Sequence, residues 1–207
     1  MPREPKPGIR EEQREKSRRA ILDAATELFS HLGYDGTSLG EVSKLSGTSK
    51  QNLLYHFDGK EGLWKETVAD VFSKVDQAFA ESFRSAVEAE DPILAIATAY
   101  FEVCRQSPAY VRLPMIEGIN DTWRSKLIAE KYLKPHVDAF QRRVEALVAE
   151  GRLPDIPAIH LQNLVAGGAQ LYLALAPIWK YAVGADTTDE AFLEGYRRTI
   201  AVVLSSR

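Results

Sequence analysis

The sequence has little of what secreted and membrane proteins depend on. Its single cysteine, Cys104, cannot form a disulfide within the chain, which favours a reducing compartment. Residues 1–19 are rich in charge and proline and lack the apolar core of a secretion signal. The most apolar run, residues 164–179, is too short to cross a bilayer. We therefore expect a cytoplasmic protein that does not span a membrane.

Residues that enzymes and metal sites need are also sparse. The four histidines are scattered, with no cysteine companions and no Glu-x-x-His pair of the kind found in di-iron bundles. The sequence has no Gly-rich phosphate loop, no nucleophile elbow and no paired-carboxylate signature. It consequently predicts no catalytic residue, no metal ligand and no cofactor, and it disfavours an enzyme.

The chain also lacks a strong overall charge, since its formal net charge is −3 and its pI is near 5.9. If nucleic acid is the partner, positive charge has to be concentrated locally. Residues 14–19, REKSRR, hold four basic residues and one acidic residue, and Lys44, Lys50 and Lys60 form a second cluster. Such patches can contact phosphates while the rest of the molecule stays acidic.

Helical periodicity is what the sequence does have, and no segment alternates with period two over a useful length. The pattern predicts an all-α fold, with a small N-terminal unit of three short helices and a larger helical bundle behind it. The first helix should cover residues 17–32 and stop at Gly33. The capping box Ser38-Leu-Gly-Glu41 opens the second helix, and a cap at Thr48 or Ser49 opens the third.

Longer helices are predicted beyond this unit. Asp91-Pro92 is a start signal, because aspartate caps a helix and proline suits its first turn. Pro135 should bend the helix that contains it. The longest predicted helices cover about 60–87, 120–150, 158–180 and 188–204.

Residues 37–64 contain two short helices around a tight Ser-Gly-Thr turn, the arrangement of a helix-turn-helix. The second helix of this motif needs exposed polar residues at its N-terminal end to reach base edges in the major groove. Leu53 and Phe57 lie four apart and should face inward. The residues expected to reach bases are Thr48, Ser49, Lys50, Gln51 and Asn52.

Phosphate contacts are expected beside these positions. Thr37 or Ser38 begins the first short helix and can offer a hydroxyl and a helix N-terminus. Tyr55, His56 and Lys60 follow where the second helix would leave the groove, although His56 has an alternative role as a packed residue. A helical adaptor that binds protein is the other class to weigh, but its contact helix would favour apolar anchors over the polar residues 48–52.

This stretch resembles the DNA-binding domain of the TetR family of bacterial regulators, over about residues 18–65. The family pattern F-x-x-x-G-Y/F, T-S/T, a turn and S-K-x-x-L-Y-x-H-F-x-x-K-E-x-L is met in register. Two departures concern the turn Ser46-Gly47-Thr48, where Ala-Gly-Val is usual, and Gln51, where glycine is frequent. The matching residues are Phe29, Gly33-Tyr34, Thr37-Ser38, Gly47, Ser49-Lys50, Leu53, Tyr55-His56-Phe57, Lys60-Glu61 and Leu63.

The resemblance implies a dimeric, ligand-responsive regulator of transcription. Residues 1–16 would be a flexible arm, 17–64 the helix-turn-helix domain and 65–207 the ligand-binding and dimerisation domain. A repressor released from its operator by a small, largely apolar or aromatic effector is expected, and an activator remains an alternative. Implied backbone contacts are Thr37, Ser38, Lys50, Tyr55, His56 and Lys60; implied base contacts are Thr48, Ser49, Gln51 and Asn52.

The larger domain offers candidates for both of its implied roles. The last two long helices have more apolar surface than one buried face needs, which fits a homodimer joined by a four-helix bundle; an ample core within one chain is the alternative. Plain core packing is likewise the alternative for each candidate ligand contact. These contacts are Phe79, Phe101, Met115, Trp123, His136, Phe140, Gln170 and Tyr172.

Overall fold

The computed structural model describes residues 8–87, 89–187 and 189–205. These residues are helical or lie in short connections, with no strand among them, so the predicted all-α fold is confirmed. The chain divides into two compact units, Met1–Val71 and Phe72–Arg207. No helix in the described part of the chain is long and apolar enough to cross a membrane.

The N-terminal unit contains helices α1 (Ile9–Gly36), α2 (Leu39–Leu45) and α3 (Lys50–His56) and the start of α4 (Gly59–Val87). Gly33 interrupts α1 with a φ of 69°, which fits the predicted stop because glycine adopts this left-handed region without strain. Both predicted inward residues, Leu53 and Phe57, are buried.

Two predicted boundaries in this unit need correction. Helix α1 begins at Ile9, so residues 9–16 are not an irregular arm, and residues 1–7 lie outside the described residues. Glu12–Lys16 and Glu15–Arg19 have the i, i+4 spacing that stabilises a helix, and this outweighs the irregular composition. The unit also ends later than residue 64, because α4 packs on α1 as far as the Arg19–Asp70 ion pair.

The C-terminal unit contains the remainder of α4 followed by seven helices and one π-helical segment. Asp91 caps the first of them by accepting a 3.1 Å hydrogen bond from the Leu94 backbone, as predicted. The predicted bend near Pro135 corresponds to the π-helical segment Ile128–Leu133. The helices are α5 (Pro92–Gln106), α6 (Pro108–Glu117), α7 (Trp123–Leu127), α8 (Lys134–Ala149), α9 (Ala158–Ala174), α10 (Ala176–Val183) and α11 (Glu190–Ser205).

The core of this unit lies between α5, α8, α9 and α11. Phe101 is fully buried there, with its ring centre 4.6 Å from that of Tyr196. The Tyr196 hydroxyl donates a 3.1 Å hydrogen bond to the Val165 carbonyl, so this polar group is satisfied inside the core. The resulting bundle is the frame on which the cavity described below is built.

Candidate functional site

The helix-turn-helix of α2 and α3 is held by reciprocal caps. Ser38 Oγ accepts a 3.2 Å hydrogen bond from the Glu41 backbone, and the Glu41 carboxylate accepts a 2.8 Å bond from the Ser38 backbone. This confirms the capping box, and the bonds from Ser38 lower the pKa of Glu41. Ser49 Oγ accepts from the Asn52 backbone at 3.1 Å, so Ser49 and not Thr48 caps α3.

The turn between the two helices is built from hydroxyl groups and one glycine. Gly47 has a φ of 66°, which strains any residue other than glycine. Ser43 Oγ donates to the Thr48 carbonyl at 2.6 Å, and the Ser46 and Thr48 hydroxyls lie 2.9 Å apart. Thr48 is half-buried and its hydroxyl is engaged inside the turn, so its part in the site is to fix the angle at which α3 leaves α2.

Helix α3 presents one exposed face. Lys50, Gln51, Leu54 and Tyr55 are all exposed, and the spacing i, i+1, i+4, i+5 places them on the same side of the helix. Tyr55 is 72% exposed and Leu54 is 48% exposed, while Leu53 on the opposite side is fully buried. Leu54 was not among the sequence candidates, because a leucine in an amphipathic helix is normally expected in the core.

Two sequence candidates do not lie on this face. The Asn52 side-chain amide donates a 2.6 Å hydrogen bond to Ser17 Oγ of α1, which turns it away from the exposed side. Thr37 is only 2% exposed, and its hydroxyl donates to the Gly33 carbonyl at 2.9 Å. The structure contradicts a phosphate contact through the Thr37 side chain and a base contact through the Asn52 amide, because both groups already satisfy internal partners.

Positively charged and aromatic groups surround the end of α3. The Lys60 ammonium lies 4.4 Å from the centre of the Tyr34 ring, and the Arg18 guanidinium lies 5.5 Å from that of Phe57. His56 is half-buried with its ring against Tyr55, and its pKa is lowered by burial and by the positive charge of Arg14 and Arg18. A neutral His56 can still donate one N–H, so packing and phosphate contact are compatible roles for it.

The basic run 14–19 is divided between structural and exposed roles. Arg18 pairs with Glu66, and Arg19 forms two hydrogen bonds to the Asp70 carboxylate at 2.6 and 2.8 Å. These pairs hold α1 against α4. The charges of this run that remain on the exposed surface are therefore those of Arg14 and Lys16.

The C-terminal unit contains a cavity of about 750 Å³ lined by side chains from α4, α5, α6, α8 and α9 and by Leu133. Four of the sequence candidates, Phe79, His136, Phe140 and Gln170, line it. Helix positions 136, 140 and 143 point the same way on α8, and such a stripe combines core and cavity residues that periodicity alone cannot separate. Tyr100, Tyr110, Arg142, Arg143, Gln162 and Asn163 also line the cavity.

The other four candidates lie elsewhere. Phe101 belongs to the core between α5 and α11, and Tyr172 lines a separate apolar pocket of about 440 Å³ with Trp179 and Phe192. Met115 and Trp123 are not among the lining residues, and Trp123 is largely solvent-exposed. These four predictions are wrong for the cavity, because each side chain projects from a different side of its helix.

One end of the cavity is polar without a net charge. Gln170 donates a 2.6 Å hydrogen bond to the Tyr100 hydroxyl, and the Phe79 ring stacks on Tyr100 with 5.6 Å between centres. His136 Nε2 lies 2.9 Å from an Asp76 carboxylate oxygen, whereas His136 Nδ1 is buried without a hydrogen-bond partner. Burial raises the pKa of Tyr100, so its hydroxyl stays protonated and can donate.

Apolar residues that are not used in the core form a surface on the last helices. Leu164, Leu171 and Leu175 are exposed on one side of α9, and Val203 of α11 is exposed as well. By contrast, Leu161, Val165, Tyr196 and Ile200 pack in the core of the same chain. Both alternatives from the sequence therefore apply, to different faces of the same two helices.

A capped helix-turn-helix with an exposed polar face on its second helix defines a DNA-binding protein. A profile described as "Bacterial regulatory proteins, tetR family" matches residues 21–67. The regulator RutR of Escherichia coli (strain K12) is 30% identical over 181 residues, which cover 84% of this chain and 82% of RutR. The chain belongs to the TetR family and is a DNA-binding transcription regulator.

Two further comparisons cover other parts of the molecule. IcaR of Staphylococcus epidermidis, a negative regulator of the icaADBC biofilm operon, is 43% identical over 53 residues, 26% of this chain and 29% of IcaR. The structure of FadR from Bacillus subtilis in complex with stearoyl-CoA matches with a TM-score of 0.65 at 13% identity, over 92% of this chain and 99% of FadR. At this identity the second likeness shows the fold alone.

Proposed function

We propose that this regulator is a homodimeric repressor whose α3 reads the operator and whose cavity takes the small molecule that releases it. The exposed face of α3, formed by Lys50, Gln51, Leu54 and Tyr55 beside the Ser49 cap, is the observation that carries the proposal. Repression is supported by the likeness to IcaR, whose name describes a negative regulator. DNA as partner assigns its action to the cytoplasm.

Base reading is assigned to Ser49, Gln51 and Leu54. A glutamine side chain can pair with the N6 and N7 atoms of adenine in the major groove, and an apolar group can contact a thymine methyl. Phosphate contacts are assigned to Lys50, Tyr55, Lys60, Ser38 and His56, which flank the reading face at its two ends. Thr37, Thr48 and Asn52 instead hold the geometry of the motif through their internal hydrogen bonds.

The homodimer is assigned to the exposed apolar side of α9 together with α11. The residues left outside the core, among them Leu164, Leu171 and Val203, would be buried by the same helices of a second chain in a four-helix bundle. A two-fold dimer also presents two copies of α3, which DNA-binding dimers place about 34–36 Å apart to meet successive major grooves. Residue 188, at the start of the predicted last helix, lies outside the described residues.

Release of DNA is assigned to the cavity. Phe79, one of its lining residues, belongs to α4, the helix that begins in the N-terminal unit. A ligand that contacts this helix and favours one of its arrangements shifts the population of dimers whose two α3 helices match the operator. The effector would be largely apolar or aromatic, in keeping with the Phe79, Phe140 and Val165 lining.

The DNA assignment is tested by replacing Lys50 and Tyr55 separately. Lys50→Ala and Tyr55→Phe should weaken binding to a selected operator duplex and leave helicity by circular dichroism unchanged, because both side chains are exposed. For Lys50→Ala the dependence of log affinity on log salt should become shallower by about 0.9, the value for one lost phosphate contact. Lys65→Ala, which removes an equal charge from α4, is the matched control. Unchanged affinity of both variants in fluorescence anisotropy would refute the assignment.

A further inference from the structure

The cavity of the C-terminal unit has chemically different ends, and α8 connects them. His136, Phe140 and Arg143 line the cavity at positions i, i+4 and i+7, so they lie on one side of this helix. Seven residues of α-helix span about 10 Å. One wall therefore presents an imidazole, an aromatic ring and a guanidinium in sequence over about two helical turns.

Helix α9 repeats the same separation of polar groups. Asn163 and Gln170, both lining residues, are also seven apart, with Ala166 between them. Gln170 bonds Tyr100, and the Phe79 ring contacts both Tyr100 and His136 at 5.6 Å between ring centres, so these groups share one end of the cavity. The short connection 150–157 joins α8 to α9 and brings Arg143 and Asn163 to the other end.

Charge distinguishes this second end. Arg142, Arg143, Gln162 and Asn163 line it, and none of the described lining residues is an aspartate or glutamate. Arginine side chains beside an apolar cavity favour an anionic partner, since charge-assisted hydrogen bonds to a carboxylate are stronger than neutral ones. A purely apolar ligand would leave this end without a partner in the bound state.

The opposite end requires a hydrogen-bond donor from the ligand. The Asp76 carboxylate accepts from His136 Nε2, so the proton of a neutral imidazole is at Nε2 and Nδ1 presents a lone pair. This Nδ1 is buried without a partner, and a buried acceptor left unpaired is costly. A ligand hydroxyl or N–H at this point would satisfy it.

We infer that the cavity binds an amphipathic carboxylic acid, with its carboxylate at Arg142 and Arg143 and a hydroxyl or N–H group at His136 Nδ1. The body between the two groups is about 10 Å long and packs on Phe140, Val165 and Ile96. The cavity volume of about 750 Å³ lies in the range of small-molecule sites. This inference rests on the proposed effector role of the cavity and specifies the chemistry of the effector.

Calorimetry on the full-length, DNA-free protein tests it with three matched probes: ω-hydroxyoctanoate, octanoate without the terminal hydroxyl, and α,ω-octanediol without the charge. The hydroxy acid should bind about tenfold or more tightly than the diol, as expected for a hydrogen bond to a charged group. The double variant Arg142→Gln/Arg143→Gln should remove this preference while leaving diol binding within about threefold. Lys134→Gln, an equal charge change on the exposed side of α8, should keep it.

The far end is tested in the same titrations. The hydroxy acid should bind about threefold to tenfold more tightly than octanoate, and His136→Leu should abolish this difference without abolishing the preference for acid over diol. A diol that binds as tightly as the acid, an arginine double variant that keeps the preference, or no binding of any probe would overturn the inference. Operator binding is measured separately, so its loss in the wild-type protein would refute the proposed function while the calorimetric result stayed readable.

Discussion

Neighbouring amides on α3 provide the sharpest comparison between sequence pattern and structure. Gln51 and Asn52 have the same functional group and adjacent positions, but Gln51 is exposed on the α3 face and Asn52 donates to Ser17 at 2.6 Å. Gln51→Ala should therefore weaken specific DNA binding and leave stability nearly unchanged. Asn52→Ala should do the reverse.

The magnitudes follow from the interactions that each substitution removes. A bidentate contact between Gln51 and a base contributes about 1–3 kcal/mol to discrimination, so affinity for the operator should fall by roughly fivefold to 150-fold. The hydrogen bond from Asn52 to Ser17 contributes about 0.5–1.5 kcal/mol to stability. The better helix propensity of alanine offsets roughly 0.5 kcal/mol of that loss, which leaves a net cost of about 0–1 kcal/mol.

Fluorescence anisotropy with operator and scrambled duplexes measures the first effect, and denaturant unfolding at fixed protein concentration measures the second. Because the net cost for Asn52→Ala is small, Ser17→Ala and the double variant complete a thermodynamic cycle whose coupling energy should be about 1 kcal/mol. The reasoning is refuted if Asn52→Ala lowers the operator preference as much as Gln51→Ala does and the cycle shows no coupling.

Three further outcomes are expected. Leu171→Glu, which places a charge on a leucine that is 50% exposed on α9, should convert the dimer to monomer in sedimentation velocity and reduce operator affinity, whereas Ile119→Glu at an exposed loop position should not; a Leu171→Glu dimer would contradict the assigned interface. Burial raises the pKa of the Cys104 thiol to about 12, so iodoacetamide should label the native protein slowly up to about pH 9 and label the unfolded protein readily; fast native labelling would count against this burial. The pKa of His56 lies below its ordinary value in the folded state, so the unfolding free energy should fall as pH decreases from about 7 to about 5, and His56→Gln should reduce that slope; equal slopes would show that another group is responsible.

The sequence was sufficient for the fold class and for the local geometry of the helix-turn-helix. Caps and turns depend on residues close together in the chain, and the Ser38–Glu41 capping box and the Gly33 stop are of this kind. The start of α1 was missed because charge and proline near the terminus outweighed helix-stabilising pairs at i, i+4.

Contacts between distant segments could not be predicted in the same way. Nothing in the pattern of α3 shows that Asn52 bonds Ser17, thirty-five positions earlier in the chain, or that Thr37 is buried. The cavity has the same origin: Phe101 and Phe140 are alike in sequence, but only the packing of α5, α8 and α9 makes one a core residue and the other a lining residue. Arg142 and Arg143 were missed because an Arg-Arg pair on an amphipathic helix is normally a solvated surface.

The position of α3 in the major groove is tested most directly by atom-specific substitution in an operator half-site. Replacing each adenine in turn by deazaadenine, which lacks the N7 acceptor, should weaken binding of the wild-type protein at one position, and Gln51→Ala should bind the substituted and natural duplexes equally. Wild-type binding that is indifferent to every such replacement, but sensitive to changes in the minor groove, would contradict the proposed mode of recognition.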